Sequence, residues 1–285
     1  MSDFTQVFRD DFNGSSIDRG IWKAQYAGEY GNGMFRWDPS QLEVGDGKLT
    51  IVTEKDGGSW VTGGLSTIPE GQTYGSYEFR ARVDAGQGTA SAFLLWPSDN
   101  KWTDEVDIVE THKPQRESFA FTNHGSPNVT QDVGVDVSQW HDYRLDWTPG
   151  SLKLFVDGEQ KGHITTDVPS QEMSFGVQGH VLASHESWFG GAPDGSTPSR
   201  VETEVDWVKV SAWTPGQGDQ DSAQPATAAP AELPAEQAVA AAPSAVVAET
   251  SSDPWAQFMV DGQIDWAAAA AHVTANYEAT GQWFI

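Results

Sequence analysis

The chain has 285 residues, with 13 Trp, 13 Phe, no cysteine and a formal net charge of −25. The missing cysteines exclude disulfide frameworks and thiolate metal sites, and the negative charge argues against nucleic acid or a membrane as a partner. No apolar run is long enough for a transmembrane helix, and the N-terminal stretch MSDFTQVFRDDF predicts no secretory signal peptide.

Strand patterns dominate the first three quarters of the chain. Residues 74–83 alternate apolar and polar side chains, which predicts a strand with one buried face. The continuous apolar run SAFLLWP, residues 91–97, predicts a strand covered on both faces. Further strand patterns, separated by Pro-Gly and Asp-Gly turns, lie at residues 143–147, 152–159 and 201–210. Many strands with few helices favour an all-β, antiparallel two-sheet sandwich.

The stretch WTDEVDIVETH, residues 102–112, places four carboxylates among β-branched residues. On a regular strand Glu105 and Asp107 share a face, whereas Glu110 points the other way. A one-residue β-bulge near Ile108–Val109 would return Glu110 to the face of the other two. An edge strand with solvated charges is the alternative, but the neighbouring apolar runs favour an interior strand, where such charges are costly without a role.

Two carboxyl groups on one face suggest glycoside hydrolysis. A retaining enzyme holds them roughly 5–5.5 Å apart, one as the nucleophile and one as the general acid/base. Positions two apart on a strand are about 7 Å apart by backbone rise, and their side chains can converge from there. Close negative charges also raise the pKa of whichever carboxyl group serves as the acid.

The segment EVDIVE, residues 105–110, resembles the catalytic signature of family 16 glycoside hydrolases in its form with an extra bulge residue. The resemblance covers about residues 4–212. The flanking segments of that family occur here in the same order, as RDDFNG, GDGKLTI, YGSYEFRARVDAGQGT, WHDYRLDWTPGSLKLFVDGE and VDWVKV. The resemblance implies a β-jelly-roll sandwich with a concave cleft, in which internal β-glycosidic bonds of a polysaccharide are cleaved with retention.

The resemblance also implies roles for individual residues. Glu105 resembles the nucleophile, Glu110 the general acid/base, and Asp107 the carboxylate that assists the nucleophile. Asp104 has the opposite strand parity from Glu105, so we expect it to be solvated or structural.

Four residues are expected to bind substrate. Trp102 and Trp188 resemble aromatics that contact sugar in the cleft, Trp37 could line the donor side, and His124 resembles a histidine beside the acid/base. Core packing is the alternative for each Trp and a loop position for His124. The segment GTASAFLLWP departs from the usual family pattern, which leaves the glycan open: a β-1,3-glucan, a mixed-linkage β-1,3-1,4-glucan or a bacterial exopolysaccharide.

The chemistry implied by the resemblance needs no cofactor. A structural calcium is common in the family, and Gly47, through its carbonyl, and Asp206 stand at matching positions. Oxygen ligands suit Ca²⁺. The alternative is an ordinary turn and a surface aspartate.

Composition divides the chain into three segments. Residues 1–213 are expected to form the catalytic domain, residues 214–253 an Ala/Pro-rich disordered linker, and residues 254–285 a short tail with a helix capped by Asp265. The tail suggests leaderless export through a C-terminal signal, which would engage export machinery and make the enzyme extracellular; a cytoplasmic enzyme is the alternative.

Two other functions stay open, a transglycosylase of the same fold and a non-catalytic carbohydrate-binding sandwich.

Overall fold

The strand patterns of the sequence become two stacked sheets in the computed structural model. The structure describes residues 3–30, 34–68, 70–98, 102–182, 190–215, 259–260 and 263–264. The predicted linker and the predicted tail helix lie almost wholly outside these residues, so the domain boundaries stay a prediction. Within the described residues no helix has the length and apolar character needed to cross a membrane.

Eleven of the described strands form the larger sheet. Its strand order is β16 (Glu159–Ile164), β15 (Ser151–Val156), β14 (His141–Thr148), β9 (Gly75–Val83), β18 (Arg200–Trp213), β6 (Lys48–Asp56), β7 (Ser59–Thr62), β4 (Phe35–Trp37) and β3 (Gly28–Tyr30), with β1 (Phe4–Asp10) beside β18 and β5 (Leu42–Gly45) beside β6. The pairing is antiparallel except between β4 and β7.

Seven described strands form the smaller sheet. Its order is β13 (Val129–Val133), β12 (Phe119–Asn123), β11 (Val106–Glu110), β10 (Thr89–Pro97), β17 (Met173–Val181), β8 (Gly64–Ser66) and β2 (Ala24–Gln25). Two 3₁₀ turns, Pro39–Gln41 and Trp102–Asp104, and a separate hairpin of β19 (Met259–Val260) with β20 (Gln263–Ile264) complete the described elements.

The core lies between the two sheets. Phe79 on β9 and Phe93 on β10 stack with ring centroids 4.3 Å apart and join the layers. Trp22 and Trp147 are fully buried, and the indole N–H of Trp147 donates to the carbonyl of Pro169 at 3.0 Å. Aromatic side chains bury large areas, and the indole N–H of Trp22 is also paired, since it donates to Oδ2 of Asp10 at 2.8 Å. The expected all-β two-sheet sandwich is therefore confirmed.

Strands β10, β11 and β12 are neighbours within the smaller sheet. Their alternate residues point into the core, as Phe93 and Phe121 do. The remaining residues of these strands face away from the core, and the acidic stretch contributes to that outer face. The interior strand predicted for this stretch is confirmed, because β11 has a hydrogen-bonded neighbour on each side.

Candidate active site

A β-bulge in β11 decides where the carboxylates point. On β10, Ala92 pairs with Glu110 and Leu94 with Asp107, so two steps on β10 match three on β11. The other neighbour agrees, since Asp107 pairs with Thr122 and Glu110 with Ala120 on β12. One extra residue between positions 107 and 110 restores the parity that a regular strand would break. The bulge predicted near Ile108–Val109 is confirmed, and Asp107 and Glu110 share a face.

This face is covered although it points away from the core. Ala92 and Leu94 on β10 are 1% and 3% exposed, and Asp107 on β11 is 4% exposed. Glu105 and Glu110 are half-buried. Side chains on an outer sheet face become this inaccessible only when neighbouring elements rise around them. The three carboxylates therefore lie together on a covered part of the outer face of the smaller sheet, which we call the trough.

Glu105, Asp107 and His124 form a compact group. One ligand-type atom from each lies within 4.8 Å of the others. The Nε2 atom of His124 is 2.7 Å from Oδ2 of Asp107, and the backbone N–H of His124 donates to the carbonyl of Glu105 at 3.0 Å. His124 thus continues the pairing of β12 past its last strand residue and places its ring against Asp107, while its predicted contact with sugar stays a prediction.

A second contact fixes the orientation of the His124 ring. The side-chain amide of Asn128 lies 3.2 Å from Nδ1 of His124. If the amide donates to Nδ1, the Nε2–H donates to Asp107, and the ring is neutral with one defined tautomer. A hydrogen bond to a charged carboxylate contributes about 1.5–3 kcal/mol, which offsets part of the cost of burying Asp107.

The electrostatics favour a retained proton. Burial raises the pKa of Glu105 well above its ordinary value of 4.5, and the negative charges of Asp107 and Glu110 raise it further. Burial and these two neighbouring charges therefore disfavour ionisation of Glu105 in the folded chain. An arrangement that keeps one carboxyl protonated beside ionised ones suits acid–base chemistry on a sugar.

Aromatic side chains form one wall of the trough. Trp37 packs edge-on against Tyr26 and Tyr30, with ring centroids 5.4 Å and 4.8 Å away, and its indole N–H donates to the carbonyl of Gly179 at 3.2 Å. Trp37 is half-buried. The predicted cleft residue therefore sits beside β17, partly engaged in packing and partly available to a ligand.

Sequence reasoning missed His180 on β17. Its ring lies near parallel to that of Tyr30, with centroids 6.3 Å apart, and His180 pairs with Ala90 on the trough face. Burial lowers its pKa to about 4, although the charge of Asp107 works in the opposite direction. Its Nε2 atom is buried with no hydrogen-bond partner among the described residues. His180 is therefore a neutral residue with a free ring nitrogen at the trough.

Tyr26 was missed as well. Burial raises the pKa of its hydroxyl to about 12, and the charge of Glu105 contributes to the shift. Its ring fits against Gly64 on β8 so closely that a Cβ added there would lie 2.4 Å from Cδ2 of Tyr26. No local pattern marks Tyr26 or His180, because each reaches the carboxylates only through pairing with distant strands.

Asp104 and two predicted tryptophans have different outcomes. The amide of Gln171 donates to Oδ2 of Asp104 at 2.7 Å, which fits the structural role expected for that carboxylate. Trp102 belongs to the 3₁₀ turn immediately before Glu105, but its side chain lies outside the described residues, as does all of Trp188. Their sugar-binding roles remain predictions.

Gly47 and Asp206 are the two residues predicted to bind a structural calcium ion. Gly47 lies in the turn between β5 and β6 with φ of 72°, and Asp206 lies at a bulge of β18. The Nε atom of Arg80 is 3.5 Å from Oδ2 of Asp206. A guanidinium at this carboxylate disfavours a divalent cation there. The calcium site remains a sequence-based prediction with a poor fit at Asp206.

Comparison with protein families gives a match to the model for "Glycosyl hydrolases family 16" over residues 30–209. The endo-1,3-1,4-β-glycanase EglC of Rhizobium meliloti is 26% identical over 242 residues, which cover 72% of this chain and 51% of that protein. A β-glucanase of Paenibacillus polymyxa is 30% identical over 196 residues, which cover 65% of this chain and 81% of that protein. The chain thus spans about half the length of the Rhizobium relative.

Solved structures agree on the fold. The endo-β-1,3-glucanase of Pyrococcus furiosus superposes with a TM-score of 0.65 at 20% identity, covering 74% of this chain and 95% of that one. At this identity the likeness establishes the sandwich and nothing about the substrate.

Proposed function

The chain belongs to family 16 of the glycosyl hydrolases, and from this premise we propose that it is an endo-acting, retaining hydrolase of β-glucans. The observation that carries the proposal is the bulge of β11, which turns Glu110 onto the same trough floor as Asp107. Without the extra residue the general acid would point into the core, and the trio would have no catalytic arrangement.

In the proposed reaction Glu105 attacks the anomeric carbon while Glu110 protonates the departing glycosidic oxygen. The glycosyl–oxygen bond breaks as the ester to Glu105 forms. Glu110, now a carboxylate, removes a proton from water, which attacks the anomeric carbon and releases Glu105. The two inversions give overall retention, and no cofactor takes part.

The electrostatics of the three carboxylates bear on these roles. The first step needs one protonated and one ionised glutamate, and burial together with the charges of Asp107 and Glu110 raises the pKa of Glu105. For catalysis the proton must reside on Glu110 when sugar is bound. Asp107, whose Oδ2 atom lies 2.7 Å from Nε2 of His124, is close enough to Glu105 to assist it in the proposed reaction.

The proposed substrate is a β-1,3- or β-1,3-1,4-glucan, with a bacterial exopolysaccharide of similar linkage as the other option. The support comes from the relatives, which are named as endo-1,3-1,4-β-glycanase and β-glucanase. The wall formed by Trp37 and Tyr30 offers aromatic surfaces on which a neutral sugar can stack.

A panel of soluble polysaccharides tests the activity. We expect new reducing ends from β-1,3- or mixed-linkage glucan, a rapid fall in polymer length typical of internal cleavage, and a β-anomer as the first product by NMR. A first product with α-configuration would contradict retention. Products longer than the starting oligosaccharide would instead indicate a transglycosylase, and binding without any cleavage a carbohydrate-binding sandwich.

Azide rescue separates the roles of the two glutamates. With an activated aryl glucoside, Glu105→Ala should give the α-glycosyl azide, because azide replaces the nucleophile directly. Glu110→Ala should give the β-azide, because azide attacks a glycosyl-enzyme that still forms on Glu105. The reverse pattern of azides would exchange the two assignments.

We also propose that the enzyme acts outside the cell, exported by machinery that recognises residues 254–285. The support is chemical, since polymeric glucans lie outside cells, and compositional, since residues 214–285 contain no Lys or Arg. The amount of protein in the culture medium should be lower for a variant lacking residues 254–285 than for the full-length chain. The two proteins should have the same activity per molecule in cell extracts. Equal export of both would refute the proposal.

A further inference from the structure

The larger sheet carries a groove on its outer face, on the side of the sandwich away from the trough. The groove has a volume of about 670 Å³, within the roughly 300–1,000 Å³ of small-ligand sites. It crosses β14, β9, β18 and β1, and its floor consists of Ser76 and Ser211, which pair with each other across β9 and β18. We call this surface the outer groove.

The floor is deep for an outer sheet face. Ser76 and Ser211 are 2% and 3% exposed although their side chains point away from the core. Small side chains in one row and long ones in the flanking rows leave a channel that runs across the strands. Asp146 lies at one end of the floor row and accepts a hydrogen bond from the hydroxyl of Ser76 at 2.8 Å.

One wall of the outer groove is charged, and its charges are paired. The ammonium of Lys209 lies 2.7 Å from the carboxylate of Glu78, and Nε of Arg144 lies 3.3 Å from Oδ1 of Asp146. Arg144 is held flat, with its guanidinium 4.0 Å from the ring centroid of Phe155. The contact between Nε of Arg144 and Asp146 is an ion pair that does not meet hydrogen-bond geometry.

The opposite wall is aromatic. Trp213, the last residue of β18, pairs with Phe4 of β1, and both are half-buried. Tyr74 packs edge-on against Trp213 with ring centroids 5.6 Å apart, which fixes the indole plane. A fixed aromatic face opposite polar donors and acceptors is the combination that binds a sugar ring, whose faces are apolar and whose rim carries hydroxyls.

The charge of the outer groove selects the ligand. In a chain with net charge −25, the groove lining carries three carboxylates and two cations. Such a nearly balanced surface favours neither an anion nor a cation, but it offers both acceptors and donors to a neutral ligand rich in hydroxyls. We propose that the outer groove is a second binding site for a strand of neutral polysaccharide, separate from the trough that cleaves it.

The choice of a β-glucan as that polysaccharide rests on the proposed function. Binding is therefore measured apart from cleavage, in the full chain carrying Glu105→Gln. The probes are soluble β-1,3-glucan and mixed-linkage β-glucan in native gels, where bound protein migrates more slowly. Trp213→Ala should raise the apparent dissociation constant for glucan, as measured by retardation, about fivefold or more, as expected when an aromatic anchor of a site is truncated.

Two further variants make the test specific. Ser211→Gln fills the floor while retaining Trp213, and it should weaken binding to a similar extent. Trp207→Ala is the matched control, because Trp207 lies on the same strand and the same face outside the groove, under Arg9. It should leave retardation unchanged. Thermal unfolding of each variant shows that the sandwich is intact.

The outcomes separate the two proposals. Equal retardation of the Trp213, Ser211 and Trp207 variants, or no retardation by either glucan, overturns the outer groove as a glucan site. Release of reducing ends by the chain with Glu105 intact measures the trough alone. If that chain hydrolyses glucan but the Trp213 and Ser211 variants are retarded as strongly as their parent, only the outer-groove proposal is refuted. If the Trp213 and Ser211 variants are retarded less than their parent but the chain with Glu105 intact cleaves no glucan, only the proposed activity is refuted.

Discussion

Replacement of Glu105 by glutamine should abolish activity and at the same time stabilise the protein at neutral pH. Glutamine has nearly the shape of glutamate but carries no charge and does not titrate. The carboxyl of Glu105 is half-buried, lies within 4.8 Å of an oxygen of Asp107 and is also repelled by Glu110. The native site therefore holds a charge that the fold would be more stable without.

The size of the effect follows from the environment of the carboxyl. A buried polar group without full compensation costs about 1–3 kcal/mol, and we expect Glu105→Gln to recover an amount of this order at pH 7. Because the pKa of Glu105 is raised in the folded state, that state binds the proton more tightly than the unfolded chain does. The cost is absent below 4.5, the ordinary value, and grows as pH rises from there towards the folded-state pKa.

Urea unfolding of the two proteins at pH 4 and pH 7 measures this dependence, and a reducing-sugar assay measures activity. The variant should be more stable than the parent at pH 7, about equal at pH 4, and inactive at both. Glu117→Gln, at an exposed position in the loop after β11, is the matched control and should change neither quantity. A variant that is less stable than the parent at pH 7 would refute the electrostatic reasoning.

Three further predictions follow from single features of the trough. Deletion of Ile108 should remove the β11 bulge and turn Glu110 towards the core, so activity should fall at least about 10²-fold, the smaller end of the contribution of a general acid; retained activity would contradict the bulge argument. His124→Ala should cost about 1.5–3 kcal/mol in urea unfolding, because it removes the hydrogen bond to buried Asp107, and an unchanged midpoint would show that water replaces the ring. Gly64→Ala should destabilise by about 1–3 kcal/mol through overpacking against the neighbouring tyrosine ring, whereas Ala at exposed Gly134, whose added Cβ meets nothing within 4 Å, should have little effect on the melting temperature.

Local rules account for much of the agreement between sequence and structure. Strand alternation has a period of two, so side-chain parity alone places Glu105 and Asp107 on one face and shows that Glu110 needs a bulge to join them. The registers of both neighbouring strands place that bulge between positions 107 and 110. The same rules predicted the all-β sandwich.

Other parts of the site depend on pairings that no local pattern encodes. His180 becomes a trough residue because β17 lies beside β10, and its free ring nitrogen and lowered pKa result from burial among rings of β3 and β4. Trp37 was predicted to line the donor side of the cleft, but only the structure shows its hydrogen bond to the carbonyl of Gly179.

The sequence by itself determined which carboxylates lie on one strand and that Glu110 needs a bulge to join the other two, since residue type and strand parity are local properties that survive any arrangement of the sheets. It also determined the sandwich, because alternating strands must bury one face. Tertiary structure alone decided the surroundings: which rings wall the trough, which nitrogen stays unpaired, and that Ser76, Ser211 and Trp213 line one groove. Those outcomes depend on contacts between residues far apart in the chain, and such contacts form only when the sheets assemble.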